Sequence, residues 1–124
     1  MALLLDRWQA QADFWSGMGL PAYDETAVPD NAALPYLTYS TAVGEFDGSI
    51  PVNVSLWYYG RGWGDISRKA DELLEVIGMG GEMVRYDKGA MWIKRGSPLA
   101  YRVPDDNDMI RRIAFNFTIE FTGA

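Results

Sequence analysis

The stretch that most constrains this fold lies near the end of the chain. Ile113, Phe115, Phe117, Ile119 and Phe121 alternate with Arg112, Ala114, Asn116, Thr118, Glu120 and Thr122. A period of two this strict predicts a β-strand, over about 110–122, with one face buried and the other polar. A sheet with one apolar face has to be covered, so the rest of the chain must supply more strands and a packing layer.

Two helices fit that requirement. Over 65–77, Ile66, Ala70, Leu73, Leu74 and Ile77 recur at steps of three or four, with Arg68, Lys69, Asp71, Glu72 and Glu75 on the other faces. Asp65 is the expected N-cap, and Gly78 stands where a left-handed C-cap belongs. Arg68 and Glu72 attract at i,i+4 while Asp71 and Glu75 repel, so charge pairing adds little. Over 3–16, Leu4, Leu5, Trp8, Ala12 and Trp15 share one face, and Gly17-Met18-Gly19 with Pro21 ends the helix.

The remaining strands follow from alternation and turn residues. One is expected over about 35–43, opening at Pro35, before a turn at Gly44-Glu45-Phe46-Asp47-Gly48. Another runs over about 51–59, where Val52, Val54, Leu56 and Tyr58 face the core and Trp57 and Tyr59 face away. A hairpin over 82–86 and 90–95 turns at Asp87-Lys88-Gly89, with Gly89 suited to a positive φ. Residues 20–34 read as an irregular surface segment and 96–108 as a loop containing Pro98 and Pro104. The expected order is α-β-β-α-β-β-β. That makes a single α+β domain over 1–124, with a mostly antiparallel sheet and helices packed on one face.

Composition narrows the function. The chain has no histidine and no cysteine, so it lacks the usual proton shuttle near neutral pH, a thiol nucleophile and the commonest metal ligands. Its net charge of −6 disfavours a grip on nucleic-acid phosphates, though it would let DNA slide past. The short apolar run Met1-Ala2-Leu3-Leu4-Leu5 has no cationic leader and is too short for a signal peptide; no window suggests a membrane helix. The expectation is a protein made in the cytoplasm with no membrane partner. Five Trp, seven Tyr and five Phe are more rings than one small core readily hides, which points some of them to interfaces.

The local motifs fail as enzyme signatures. Gly60-Arg61-Gly62-Trp63-Gly64 sits between a strand and a helix, but the third glycine of a dinucleotide fingerprint would fall at position 65, which is Asp, and no Gly-Lys-Ser/Thr ending is present. It reads as a mobile loop displaying Arg61 and Trp63, either a plain linker or a partner contact. Asp105-Asp106-Asn107-Asp108 resembles a calcium-loop fragment, but counting from Asp106 the sixth and twelfth positions hold Arg111 and Phe117. An acidic turn is the simpler reading. No serine has a histidine base or a nucleophile elbow. No catalytic residue, cofactor or metal is therefore expected. Trp57, Tyr59, Trp92 and Lys94 share the outward strand positions, either to meet a partner or to be covered by a helix of the same chain.

The order of several short motifs carries a family resemblance. They are Pro21-Ala22-Tyr23, Val28-Pro29, Leu34-Pro35-Tyr36-Leu37-Thr38-Tyr39, Leu56-Trp57-Tyr58-Tyr59, the helix from Ser67 to Ile77, and Gly96-Ser97-Pro98. In that order the chain resembles the small tail-terminator, or tail-completion, proteins of long-tailed bacteriophages. The resemblance implies an α+β fold and a homo-oligomeric ring of about six subunits, closed by a heterologous contact. Such a ring caps the head-proximal end of the tail tube in the virion, stops tube growth, docks the head–tail connector and lets DNA pass. The interface residues expected here are Trp57, Tyr59, Arg61, Trp63, Trp92 and Lys94. Another phage neck protein, a monomeric small-molecule binding module, and an enzyme of unfamiliar type stay open beside it.

Overall fold

Ile113, Phe115, Phe117, Ile119 and Phe121 are all buried, and their strand lies at the centre of the sheet. The computed structural model describes residues 4–40 and 49–122. The expected turn at 44–48 and the end of the strand before it, 41–43, lie outside those residues. The elements are α1 (Leu4–Ser16), β1 (Ala22–Asp24), β2 (Tyr36–Tyr39), β3 (Ser49–Tyr59), α2 (Gly64–Val76), β4 (Glu82–Tyr86), β5 (Gly89–Val103) and β6 (Ile110–Thr122). They form one six-stranded sheet in the order β1-β2-β3-β6-β5-β4, antiparallel except for the parallel pair β1 and β2. The fold is α+β, as the sequence predicts.

The register fixes which residues share a face. Val52, Val54 and Leu56 pair with Phe117, Phe115 and Ile113, and Leu37 and Tyr39 continue that face across β2. Met91 and Ile93 extend it on the other side of β6. Both helices cover this one face. Trp15 of α1 stacks on Phe117 with ring centres 5.8 Å apart, and Phe117 stacks on Phe115 at 5.7 Å. From α2, Ile66, Leu73 and Ile77 complete the core.

Several local expectations change. Residues 22–24 form β1, because the chain bonds alongside β2 in parallel. The expected loop at 96–108 is strand as far as Val103. A register irregularity between Arg95 and Ala100 absorbs Pro98, and Ala100 to Val103 pair again with β6. Asn116 donates its side-chain amide to the Pro98 carbonyl there at 2.8 Å, and the backbones run so close that an added Cβ on Gly96 would come 2.8 Å from the Asn116 carbonyl oxygen. Gly89 enters β5 without a positive φ, as Asp87-Lys88 alone make the turn.

The caps of α2 also differ. Trp63 holds the N-cap position without a side-chain bond, and Asp65 lies in the first turn, where it pairs with Arg68. Lys69 rather than Arg68 bonds Glu72, at 2.9 Å. Gly78 has no positive φ; Gly81 does, at +84°. The C-terminal carbonyls of α2 are satisfied from the sheet. Arg95 donates to Leu74 O at 2.8 Å and to Ile77 O at 3.2 Å, placing a cation at the negative end of the helix.

The buried face of α1 is a larger correction. Arg7, Ala10, Gln11 and Trp15 face the sheet, while Leu4, Leu5 and Trp8 are 41%, 74% and 38% exposed. Trp15 lies at the edge of both rows, so docking it on Phe117 rotates the apolar row partly off the sheet, leaving Leu5 outward while Ala12 still packs against the edge of the core. Arg7 then lies over the Phe121 ring, 4.9 Å from its centre.

Candidate functional site

With both helices on one face of the sheet, no helix covers the other. Its residues are read directly from the register: Tyr23 on β1, Tyr36 and Thr38 on β2, Ser55, Trp57 and Tyr59 on β3, Arg112 and Ala114 on β6. Lys94, Trp92, Met83 and Arg85 continue it across β5 and β4. The expectation that a helix of this chain covers the outward aromatics therefore fails for the described residues.

An aromatic row crosses this open face. Tyr23 meets Tyr36 edge-on at 5.6 Å, Tyr36 lies 6.2 Å from Trp57, and the Arg112 guanidinium sits 4.5 Å from the centre of the Trp57 ring. Trp57 and Arg112 are held from below. Trp57 Nε1 donates to Thr38 Oγ1 at 2.9 Å, and Arg112 Nε donates to Ser55 Oγ at 3.1 Å. Thr38, Ser55 and Ala114 are consequently buried on a face with no second layer, at 6%, 3% and 4% exposure. The large side chains lie flat across the strands and act as a lid over the small ones. The bonds to Thr38 and Ser55 hold Trp57 and Arg112 in place, and holding a side chain in advance lowers the ordering cost of any contact it makes.

A second group sits toward β4. Lys94 bonds Glu120 at 3.2 Å and lies 4.7 Å from the Trp92 ring centre. Trp92 Nε1 donates to Gly80 O at 3.0 Å, which ties the ring to the segment leading into β4.

The structure thus brings Trp57, Tyr59, Trp92 and Lys94 onto one face and leaves Arg61 and Trp63 elsewhere. Trp63 is half-buried at the start of α2, on the helix side. Arg102 and Arg111 clamp it, their guanidinium carbons 4.4 and 5.3 Å from its ring. Arg111 is itself fixed by bonds to the carbonyls of Arg61 at 3.0 Å and Asp108 at 2.7 Å. The loop expected to display Trp63 instead buries much of it. An open groove of about 510 Å³ runs past this clamp, lined by Arg61, Trp63, Val103, Pro104, Ile110 and Arg111 among others. The acidic stretch beside it forms turns, with Asp105 Oδ1 accepting from Asn107 N and Asn107 Oδ1 from Met109 N.

The sequence reading missed Tyr23, Tyr36 and Arg112 as members of the site. Tyr36 and Arg112 occupy outward strand positions directly opposite Trp57, but only the register shows that. Tyr23 stands in the Pro21-Ala22-Tyr23 motif, but its face could not be assigned because residues 20–34 read as irregular.

Three tyrosines titrate late. Burial pushes Tyr39 above its ordinary 10.0, with Asp24 and Asp13 adding to it. Burial does the same to Tyr58, helped by Glu72 and Asp65. Tyr86 is also raised, again chiefly by burial. In each case the unfolded chain loses the phenol proton at lower pH than the folded one. The stabilisation is therefore complete below the unfolded value of 10.0 and is lost as pH rises through the folded values. With no histidine or cysteine to titrate earlier, the urea midpoint should hold from pH 7 to about 9 and fall above about 10. A decline beginning near pH 8 would contradict this account of the tyrosines.

No protein-family model matches the chain, and a search of curated proteins finds no significant match.

Proposed function

We propose that this chain is a structural subunit of a bacteriophage tail, a tail terminator that forms a ring of about six copies at the head-proximal end of the tube. The observation that carries the reading is the open sheet face: a pre-ordered row of Tyr23, Tyr36, Trp57 and Arg112 left without a covering layer. Rigid aromatics beside an arginine are the composition of assembly contacts. The order of motifs along the chain, from Pro21-Ala22-Tyr23 to Gly96-Ser97-Pro98, supports the tail assignment. The net charge of −6 suits a channel wall that DNA passes without binding.

In this role the chain is not an enzyme. It contacts copies of itself, the tube subunit below and the head–tail connector above, and it resides in the virion neck. Light scattering over a concentration series, with electron micrographs of the same samples, tests the ring directly. Closed rings are the expected result, and a single-chain mass at every concentration is the contrary one. A small-molecule binding module is the second reading, favoured by the groove beside Trp63, whose volume lies within the range of ligand pockets.

A further inference from the structure

Helix α1 is turned against its own amphipathicity. Its inward row includes Arg7, at 2% exposure, and Gln11, at 0%, and neither amide atom of Gln11 has a hydrogen-bond partner among the described residues. Leu5 points outward at 74% exposure, and Leu4 and Trp8 stand partly exposed on the flank beside it, at 41% and 38%. An isolated subunit would gain by burying these three side chains, and its own sheet cannot supply the surface, because Trp15 has fixed the helix on Phe117.

Charge separates the two sides of the molecule in the same sense. The helix side carries eight carboxylates, Asp6, Asp13, Asp24, Asp65, Asp71, Glu72, Glu75 and Glu82, against six cations, Arg68, Lys69, Arg95, Arg102, Arg111 and the buried Arg7. Among the described residues, the open sheet face carries Arg85, Lys94 and Arg112 against Glu120 alone. An acidic, partly apolar helix layer thus backs onto a cationic, aromatic sheet face, within a chain whose overall charge is −6.

We infer that the open sheet face is covered by α1 of a second copy of this chain. The row Leu4, Leu5 and Trp8 seats on Tyr36 and Trp57, with Asp6 and Asp13 toward the cations of the sheet. The Trp57 indole N–H is already satisfied by Thr38, so its ring can be buried without orphaning a donor, while Arg112 spends only Nε on Ser55 and keeps its terminal N–H groups for a carboxylate of the second copy. The thirteen-residue α1 is about 20 Å long and fits within the span of β3 and β6, which are eleven and thirteen residues long. The two patches are different and lie on opposite sides of the sheet. The contact is therefore heterologous, and it repeats from copy to copy. This inference rests on the ring reading only for closure; the pairing of surfaces stands on the charge and packing above.

The experiment is a complementation of half-disabled subunits. One variant, Leu5→Glu with Trp8→Ala, spoils only the helix patch; another, Trp57→Ala with Arg112→Glu, spoils only the sheet patch. Circular dichroism and urea midpoints near wild type establish that each folds. Each alone should sediment as a single chain. Mixed, they should give a dimer and nothing larger, since one good pair of patches remains. If wild type assembles while the helix variant assembles equally well, the inference fails and the ring reading survives. If the wild-type chain stays a single chain throughout, both fail. If both variants lose assembly and mixing restores nothing, the two patches do not meet each other, and the inference is again overturned.

Discussion

Trp15→Ala should lower the free energy of unfolding by about 3–5 kcal/mol, the cost of deleting a fully buried large ring. Trp15 has no exposure, stacks on Phe117 at 5.8 Å and meets Phe14 edge-on at 4.8 Å. It is also the main apolar anchor of α1, whose remaining buried residues are Arg7, Ala10 and Gln11. The loss should therefore extend beyond a local cavity to the docking of the helix. Urea unfolding measures the first effect, and hydrogen exchange along residues 4–16 the second. A loss below about 1.5 kcal/mol would show that the helix is held by something other than this ring.

Gly81→Ala should cost about 3 kcal/mol, from a left-handed backbone and a displaced tryptophan together. Gly81 has φ +84°, and an added Cβ would come within 2.6 Å of both the Ile93 carbonyl oxygen and Trp92 Nε1. The backbone oxygen cannot move without breaking the sheet, so Trp92 has to leave and its bond to Gly80 O goes with it. Gly80→Ala is the control. Nothing lies within 4 Å of a Cβ there, and its effect should stay below about 1 kcal/mol. Equal losses at the two positions would contradict the crowding described around Gly81.

The parts of the fold legible in the sequence are those where one physical demand dominates. β6 shows itself because alternate residues see core and solvent over its whole length, and α2 because its apolar stripe is long and its helix ends are marked by glycines. α1 is legible as a helix but its orientation is hidden. Periodicity locates the row Leu4, Leu5, Trp8 and Ala12, whereas the packing of Trp15 on Phe117 decides which row goes inward. β1 is three residues long and exists only through its bonds to β2. The second half of β5 is masked by Gly96 and Pro98, which mark a loop in isolation and a register irregularity in the sheet. Of the site, the outward placement of Trp57, Tyr59, Trp92 and Lys94 follows from alternation. The clamp that removes Trp63 from the surface depends on Arg102 and Arg111, both distant in sequence, and no local pattern announces it.

These features bear on how such a subunit can be stable alone and still assemble. The core closes on one side of the sheet, where the helices satisfy it. The other side is finished as a hydrogen-bonded floor of Thr38 and Ser55 beneath Trp57 and Arg112. On the proposed reading, that arrangement leaves Trp57 and Arg112 on view in the folded chain, and assembly need not be coupled to folding.

The most direct test of the tail-terminator reading is the length of tail tubes grown in its presence. Tube subunits encoded in the same genome would be polymerised with and without this chain and imaged by electron microscopy. The account predicts shortened tubes with a ring at one end only, and loss of that effect with the Trp57→Ala, Arg112→Glu variant. Tubes of unchanged length, with the chain left free in solution, would contradict it.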